Sequence, residues 1–373
     1  MSTLKTQAAV LWKAGEDWSV REIDLDAPRS GEVLVRLAAS GICHSDEHLV
    51  TGDLPVALPI IGGHEGAGTV ETVGPGVTSV VPGDHVVFSF VPACGVCPSC
   101  SSGHQSRCDL GRFFPEGLQV SDQTSRHHAD GTDLRLMCLL GAFARHTVVA
   151  EASVVKVDPS LPLDKVCLLG CGVATGWGSS VYAAGVRAGE TAVIIGLGGV
   201  GSSAVQGARL AGAELIIGID PIEWKREKAK GFGATHTAAS IDEALELVRE
   251  LTWGRMAERV VMAMGVGDGR LIGPAMGLAA KGGRVVVTNI HPHVESQISI
   301  NMGEVTLLEK QLVGALFGSA NPRVDIPRLA RLYQAGLVDL DGLVTRTYTL
   351  EQVNEGFDDL RNGRVLRGVI RFE

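Results

Sequence analysis

Residues 191–220 read TAVIIGLGGVGSSAVQGARLAGAELIIGID. Two short apolar runs flank a glycine-rich turn and a stretch of small residues long enough for a helix. Apolar runs of this length bounded by glycine read as buried strands, so the segment is a strand–helix–strand unit. Strands joined by such a crossover lie parallel, with a right-handed connection. The turn, Gly196-Leu197-Gly198-Gly199-Val200-Gly201, has G-x-G-x-x-G spacing directly after the first strand. There the first glycine bends the chain, the second lets a pyrophosphate approach the backbone, and the third lets helix and strand pack closely. By itself the spacing equally describes an ordinary tight turn. Asp220, at the end of the second strand, adds a carboxylate that can accept ribose hydroxyls and would repel a 2′-phosphate, which favours NAD over NADP. The competing reading of Asp220 is a helix N-cap. Lys225, in the turn that follows, is placed either to help hold the adenosine ribose or to face solvent.

The same texture continues outward. PIEWKREKAKGFGA (221–234) predicts a helix closed by glycine, SIDEALELVRELT (240–252) an amphipathic helix starting near Ser240 or Asp242, and GGRVVVTNI (282–290) a buried strand. Alternating strands and helices imply a parallel sheet covered on both faces. Before about Gly172 the pattern differs. GEVLVRLAASGIC (31–43), GAGTVETVGPGVTSVVPGDHVVFSF (66–90) and ARHTVVAEASVVKVD (144–158) are alternating strands broken by Pro-Gly turns, which predicts an antiparallel, barrel-like domain. After Leu316 the chain turns mixed again, and its last strand, within RNGRVLRGVIRFE (361–373), could rejoin the first domain.

A length of 373 residues fits two domains, and 45% apolar residues can fill their cores. Glycine, at 48 residues, and aromatics, at 5%, suit tight turns and close backbone approach to a ligand. With 33 basic against 42 acidic residues, a formal charge of −9 and no basic run, no nucleic-acid partner is expected. The opening residues lack the apolar stretch of a signal peptide, and no apolar run is long enough to span a bilayer. A soluble, cytoplasmic chain without a membrane partner is the expectation.

In that reducing setting, CGVCPSCSSGHQSRC (94–108) needs an explanation. Cys94, Cys97, Cys100 and Cys108 could form disulfides, act as redox dithiols or hold a metal. The tight spacing favours a closed tetrahedral thiolate sphere for a structural zinc. A second set is scattered: Cys43 in GICHSDEH, His64 in GGHEGAG and Cys171 in LLGCGVATGWG, each beside glycine. Two thiolates and an imidazole leave one corner of a zinc tetrahedron open, as a catalytic Lewis-acid site requires. Spacing does not bring these three together, and each alone is equally a buried core residue.

The scattered trio with Glu65, the four-cysteine loop and GLGGVG…ID together resemble the zinc-dependent medium-chain alcohol dehydrogenase family over essentially the whole chain. CHSDEHLVTGD, GGHEGAGTVETVGPGV, ACGVCPSC and RGVIRF are most similar to its bacterial nicotinoprotein branch, the N,N-dimethyl-4-nitrosoaniline-dependent enzymes. The resemblance implies a discontinuous GroES-like catalytic domain (1–172 and 316–373) carrying both zinc sites, an inserted Rossmann domain (173–315), and a catalytic zinc in the cleft between them. It implies two zinc ions per subunit and NAD(H) tightly bound and recycled in place by a second substrate. It further implies oxidation of alcohols to aldehydes, and a homo-oligomer, dimer or tetramer, joined through QLVGALF (311–317).

Residue by residue, the resemblance makes Cys43, His64 and Cys171 the catalytic zinc ligands and Glu65 an acidic neighbour that assists ligand exchange. Asp46 orients His64. Ser45 takes the alcohol proton and His48 receives it through the cofactor ribose. Thr175 packs on the nicotinamide, and Arg367 binds pyrophosphate with Gly196, Gly198, Gly199, Val200 and Gly201. His44 stands where an arginine is common, which weakens phosphate binding there. Leu54, Phe90 and Phe113 match substrate-pocket walls. Arg112 falls where glutathione-dependent formaldehyde dehydrogenases hold an anionic tail, so a thiol-adduct enzyme is one alternative; a non-catalytic NAD-binding protein of the same fold is another. His127 and His128, in a long loop over 109–140, read as surface residues.

Overall fold

The computed structural model describes residues 3–372. The chain divides into two compact units, Met1–Cys171 with Asn321–Glu373, and Gly172–Ala320.

The first unit is built on two sheets. In one, Leu4–Leu11 is flanked antiparallel by Ser19–Leu25 and Ile60–Ile61. In the other, the eleven-residue strand Glu32–Ile42 pairs antiparallel with Glu65–Val73, His146–Ala150 and Arg367–Arg371. The last of these is the predicted C-terminal return, and it also runs parallel to Val344–Tyr348. Register shifts at Leu34/Val35 and Leu37/Ala39 bend the long strand, as bulges do at sheets that must curve. Apolar alternation sends Val33, Val35 and Leu37 into a core with Val70, Val86 and Phe88. Past Ile42 the extended Cys43 (φ −129°, ψ 151°) starts the helix His44–Thr51. That abrupt change from strand to helix puts Cys43, Ser45, Asp46 and His48 on one short stretch.

The segment 109–140 does contain regular structure. His127–Ala129 pairs with Ser19–Leu25, which turns His127 inward until it is fully buried, against the expectation of a surface residue. His128 points the other way and is half-exposed between Asp26 and Asp133. Beside them Arg126 is also completely buried, bonded twice to Glu32 (2.9 and 2.6 Å) and once to Asp122 (2.9 Å).

The second unit is a six-stranded parallel sheet. In chain order its strands are Thr191–Ile195, Leu215–Ile219, His236–Ala238, Ala257–Met262, Ala279–Val287 and Gln311–Gly314. In space they lie third, second, first, fourth, fifth, sixth, the doubly wound order whose reversal point faces the glycine-rich turn. Val193, Ile217, Val260 and Val285 form the sheet core with Ala244, Val248, Ala275 and Met276 from the covering helices. The amphipathic helix begins at Ile241 with Ser240 as N-cap, its hydroxyl accepting from Glu243 N at 3.2 Å. This unit runs a few residues beyond position 315, through the turn Leu316–Ser319 with its buried Phe317. Among the described residues no single helix is long and apolar enough to cross a membrane.

Candidate active site and metal centres

In the first unit the scattered trio converges. One ligand atom each of Cys43, His64, Glu65 and Cys171 lies within 4.8 Å of the others, and all four residues are buried. The strand–helix junction delivers Cys43, and the start of Glu65–Val73 delivers His64 and Glu65. The end of the turn Cys167–Gly170 delivers Cys171. Asp46 is wholly buried; its Oδ1 accepts from Gly63 N at 2.8 Å, while Oδ2 sits 3.2 Å from His64 Nδ1 in ion-pair contact without an aligned hydrogen bond. His64 Nε2 is buried with no partner among the described residues.

The charges support one another. Hydrogen bonding from Cys171, then His64 and Arg367 nearby, hold the Cys43 thiol well below its ordinary range, against burial. That same bond and burial raise Cys171. Burial works to lower His64, but Asp46 and the Cys43 sulfur outweigh it and raise it. One thiol held low and one held high across a shared hydrogen bond, next to an imidazole whose Nε2 is bonded to no described residue, are a donor set that a zinc ion satisfies, with three ligands and an open corner. Glu65 is bound instead to the guanidinium of Arg367, itself 5% exposed. Arg367 is therefore engaged by a carboxylate in this structure.

Ser45 Oγ lies 3.6 Å from Cys43 Sγ. His48 is 1% exposed; its Nδ1 lies 3.0 Å from Asp53 Oδ2, and its Nε2 is buried without a partner. Asp53 is the functional candidate that motif reading missed. Phe90 stands edge-on to the His64 ring, centroids 5.9 Å apart. Leu54 packs at the rim of the core that holds Leu49 and Ile60. Phe113 is half-buried under Arg112, whose guanidinium carbon lies 4.6 Å from the ring centroid. His44 is half-buried at the head of its helix.

The second metal centre is local. Cys94, Cys97, Cys100 and Cys108 gather their sulfurs, with Cys94–Cys100 at 3.9 Å and Cys97–Cys108 at 4.0 Å. A disulfide needs about 2.05 Å, whereas ligands of a tetrahedral zinc at about 2.3 Å stand roughly 3.8 Å apart. Backbone N–H groups of Cys97, Cys100 and Asp109 donate to these sulfurs at 3.4–3.5 Å, as thiolates require. Cys138 and Cys167 belong to neither set, and burial raises both, Cys138 to about 12.

In the second unit the three glycines of the turn differ in what surrounds them. Gly196 has φ 89°, and a side chain there would strike Met264 N at 2.8 Å. A methyl group on Gly201 would meet Gly196 O at 1.7 Å, while one on Gly198 would meet nothing within 4 Å. The open side at Gly198, which caps the helix Gly199–Leu210, is where a phosphate could approach backbone N–H groups. Asp220 accepts from Leu197 N and Ile222 N, both at 2.9 Å, so it braces the glycine turn as well as the next helix. Lys225 is half-buried and its ammonium is lowered by that burial. Thr175 is 8% exposed on the helix Gly172–Gly178.

Comparison with known proteins matches residues 29–159 to the alcohol dehydrogenase GroES-like domain and residues 199–335 to the zinc-binding dehydrogenase family. The NDMA-dependent alcohol dehydrogenase of Amycolatopsis methanolica is 52% identical over 98% of this chain and 99% of its own. The chain belongs to the zinc-dependent medium-chain alcohol dehydrogenase family. Alcohol dehydrogenase B of Mycobacterium tuberculosis is 48% identical, over 99% of both chains. Among solved structures, an alcohol dehydrogenase zinc-binding domain protein from Burkholderia ambifaria superposes with TM-score 0.94 at 32% identity, covering 100% of both chains. Benzyl alcohol dehydrogenase from Acinetobacter calcoaceticus does so with 0.90 at 30%, covering 99% of this chain and 100% of its own. This alcohol dehydrogenase thus carries a Cys₂His centre suited to catalytic zinc and a Cys₄ centre suited to structural zinc.

Proposed function

We propose that this alcohol dehydrogenase is a nicotinoprotein: it oxidises an alcohol to an aldehyde with an NAD that stays bound and is re-oxidised in place by a second substrate. The observation that carries this is its 52% identity, end to end, with an NDMA-dependent alcohol dehydrogenase. When bound, zinc on Cys43, His64 and Cys171 supplies Lewis acidity toward the alcohol oxygen, and NAD supplies the hydride acceptor. The chain's own groups do the rest. Ser45 Oγ, next to Cys43, takes the alcohol proton, and His48 Nε2 is the bare, buried nitrogen that receives it. Asp46 orients the His64 ring from behind. Phe90 and Leu54 give the alcohol an apolar wall. Glu65 acts as an acidic neighbour of the metal, its charge balanced by Arg367. In the second unit, Gly198 to Gly201 take the pyrophosphate, Asp220 and Lys225 the adenosine ribose, and Thr175 the nicotinamide face.

The eight free cysteines fit a reducing cytoplasm. Among the described residues the outer strand Gln311–Gly314 leaves one edge of its sheet unpaired, and Leu312, Leu316, Met302 and Leu307 are exposed. A second copy joined along that edge would cover them. One purified, extensively dialysed sample tests the reading. It should release NAD(H) on denaturation, turn over alcohol with N,N-dimethyl-4-nitrosoaniline without added NAD, and scatter light as an oligomer. Full turnover only after NAD is added would end the retained-cofactor reading.

A further inference from the structure

Asp53 lies beyond the helix that carries His48. Gly52, in the left-handed conformation (φ 78°), ends the helix His44–Thr51 and folds the chain back, so the Asp53 carboxylate returns to the last turn. Its Oδ2 lies 3.0 Å from His48 Nδ1 and accepts from Thr51 Oγ1 at 2.7 Å. Thr51 first, then His48, hold this carboxyl below its usual range, so it remains ionised. An ionised carboxylate only accepts, which puts the imidazole hydrogen on Nδ1. Nε2 is then left with its lone pair, buried without a partner among the described residues in a side chain 2% exposed. Of the other charged groups, Glu47 on the same helix interacts with the charge of His48. Glu47 is paired with Arg361 of the helix Val353–Arg361 at 3.2 Å, and Asp46 is committed to Gly63 and His64. Among the described residues, Asp53 is the charged partner bonded to a nitrogen of the ring.

From this geometry we infer that Asp53 is a positioning residue of the proton relay: it fixes the His48 tautomer with Nε2 bare and stabilises the imidazolium that forms there. This rests on His48 ending the relay. The alcohol O–H bond breaks, its hydrogen reaches Nε2 as a proton by way of Ser45, and the carbon-bound hydride goes to NAD⁺. Nε2–H then yields its proton to water, restoring the base. An asparagine at 53 can turn its NH₂ toward Nδ1 and stabilise the opposite tautomer, with Nε2 protonated and useless as a base.

The test uses the zinc- and nucleotide-loaded enzyme as Asp53→Asn, His48→Gln and the double variant, with kcat and KM followed across pH and zinc, nucleotide and Tm measured alongside. Asp53→Asn should lower kcat by about tenfold to a hundredfold and keep KM within about twofold, the split expected when the base is mis-set and substrate binding is untouched. The double variant should be no slower than His48→Gln, since both act on one base. Asp53→Asn with wild-type kcat, beside a slow His48→Gln, overturns the role of Asp53 and leaves the relay standing. An unimpaired His48→Gln removes the relay, and this inference with it. Should Asp53→Asn lose zinc, nucleotide or fold, Asp53→Ser decides: a residue without a carboxylate should lower kcat by about tenfold to a hundredfold with KM kept, and a folded, loaded Asp53→Ser with wild-type kcat overturns the proposal.

Discussion

At Gly201 one methyl group would come within 1.7 Å of the Gly196 carbonyl oxygen, while at Gly198 the same group would meet nothing within 4 Å. The two residues are three apart in one turn, yet substitution should affect them through different physics. Gly201→Ala must push the helix Gly199–Leu210 away from the turn, an overpacking that costs about 1–3 kcal/mol. It should lower Tm and bound nucleotide together. Gly198 has φ −71°, which alanine adopts freely, so Gly198→Ala should keep Tm within about a degree. It should still release nucleotide, because its methyl group occupies the space a phosphate needs. Thermal melts of nucleotide-free protein and nucleotide counts on the purified variants separate the two. Equal Tm losses would show that Gly198 is packed after all.

Among the elements, the cysteine loop is the one whose structure depends on a ligand. Between Cys94 and Cys108 it has a four-residue helix, Pro98–Ser101, and a short 3-10 turn, Gln105–Arg107, too little to hold itself. Only Cys100 and Cys108 of its four sulfur residues are buried. Cys108→Ala should remove about one zinc per chain and destabilise the protein on the order of 4 kcal/mol, as loss of a metal staple does. Reductant alone should change nothing, because the Sγ–Sγ distances of 3.9 and 4.0 Å are not disulfides. Metal analysis with urea unfolding, in the presence and absence of dithiothreitol, checks both. This loop could be read in the sequence because its four ligands are close neighbours, and so could the strand–helix–strand unit around Gly196. Cys43, His64 and Cys171 were readable as a set through family resemblance; their separation in the chain hides the convergence from spacing alone. Asp53 escaped because its partner, five residues back, is reached only through the left-handed Gly52. Arg126 escaped because its counter-charge, Glu32, is 94 residues away, and an arginine beside two histidines in a polar stretch otherwise looks solvated.

For the molecule as a whole, the cost of burying His127 sets part of the response to acid. Thr147 Oγ1 gives its own hydrogen to Leu140 O at 2.7 Å, so across the 3.1 Å to His127 Nε2 it can only accept, and Nε2 carries the ring hydrogen. Nδ1 is buried with no partner. Burial first, then the neighbouring His128 and Arg126, push His127 down to about 3. Unfolded, the same ring titrates near about 6.5. Above that pH it is neutral in both states and stability does not depend on it. Between about 6.5 and 3 the unfolded chain binds a proton that the native one refuses, so stability falls as pH falls, by at most about 1.4 kcal/mol per unit. His127→Gln keeps an N–H for Thr147 and cannot titrate. Its urea midpoint should be at or below wild type at pH 7, and should fall less than wild type's on going to pH 5. Parallel acid limbs for the two proteins would mean that His127 is protonated in the native state or hydrated at Nδ1. The acid sensitivity would then belong to the native carboxylate pairs, such as Asp122 with Arg126, which is held down to about 2.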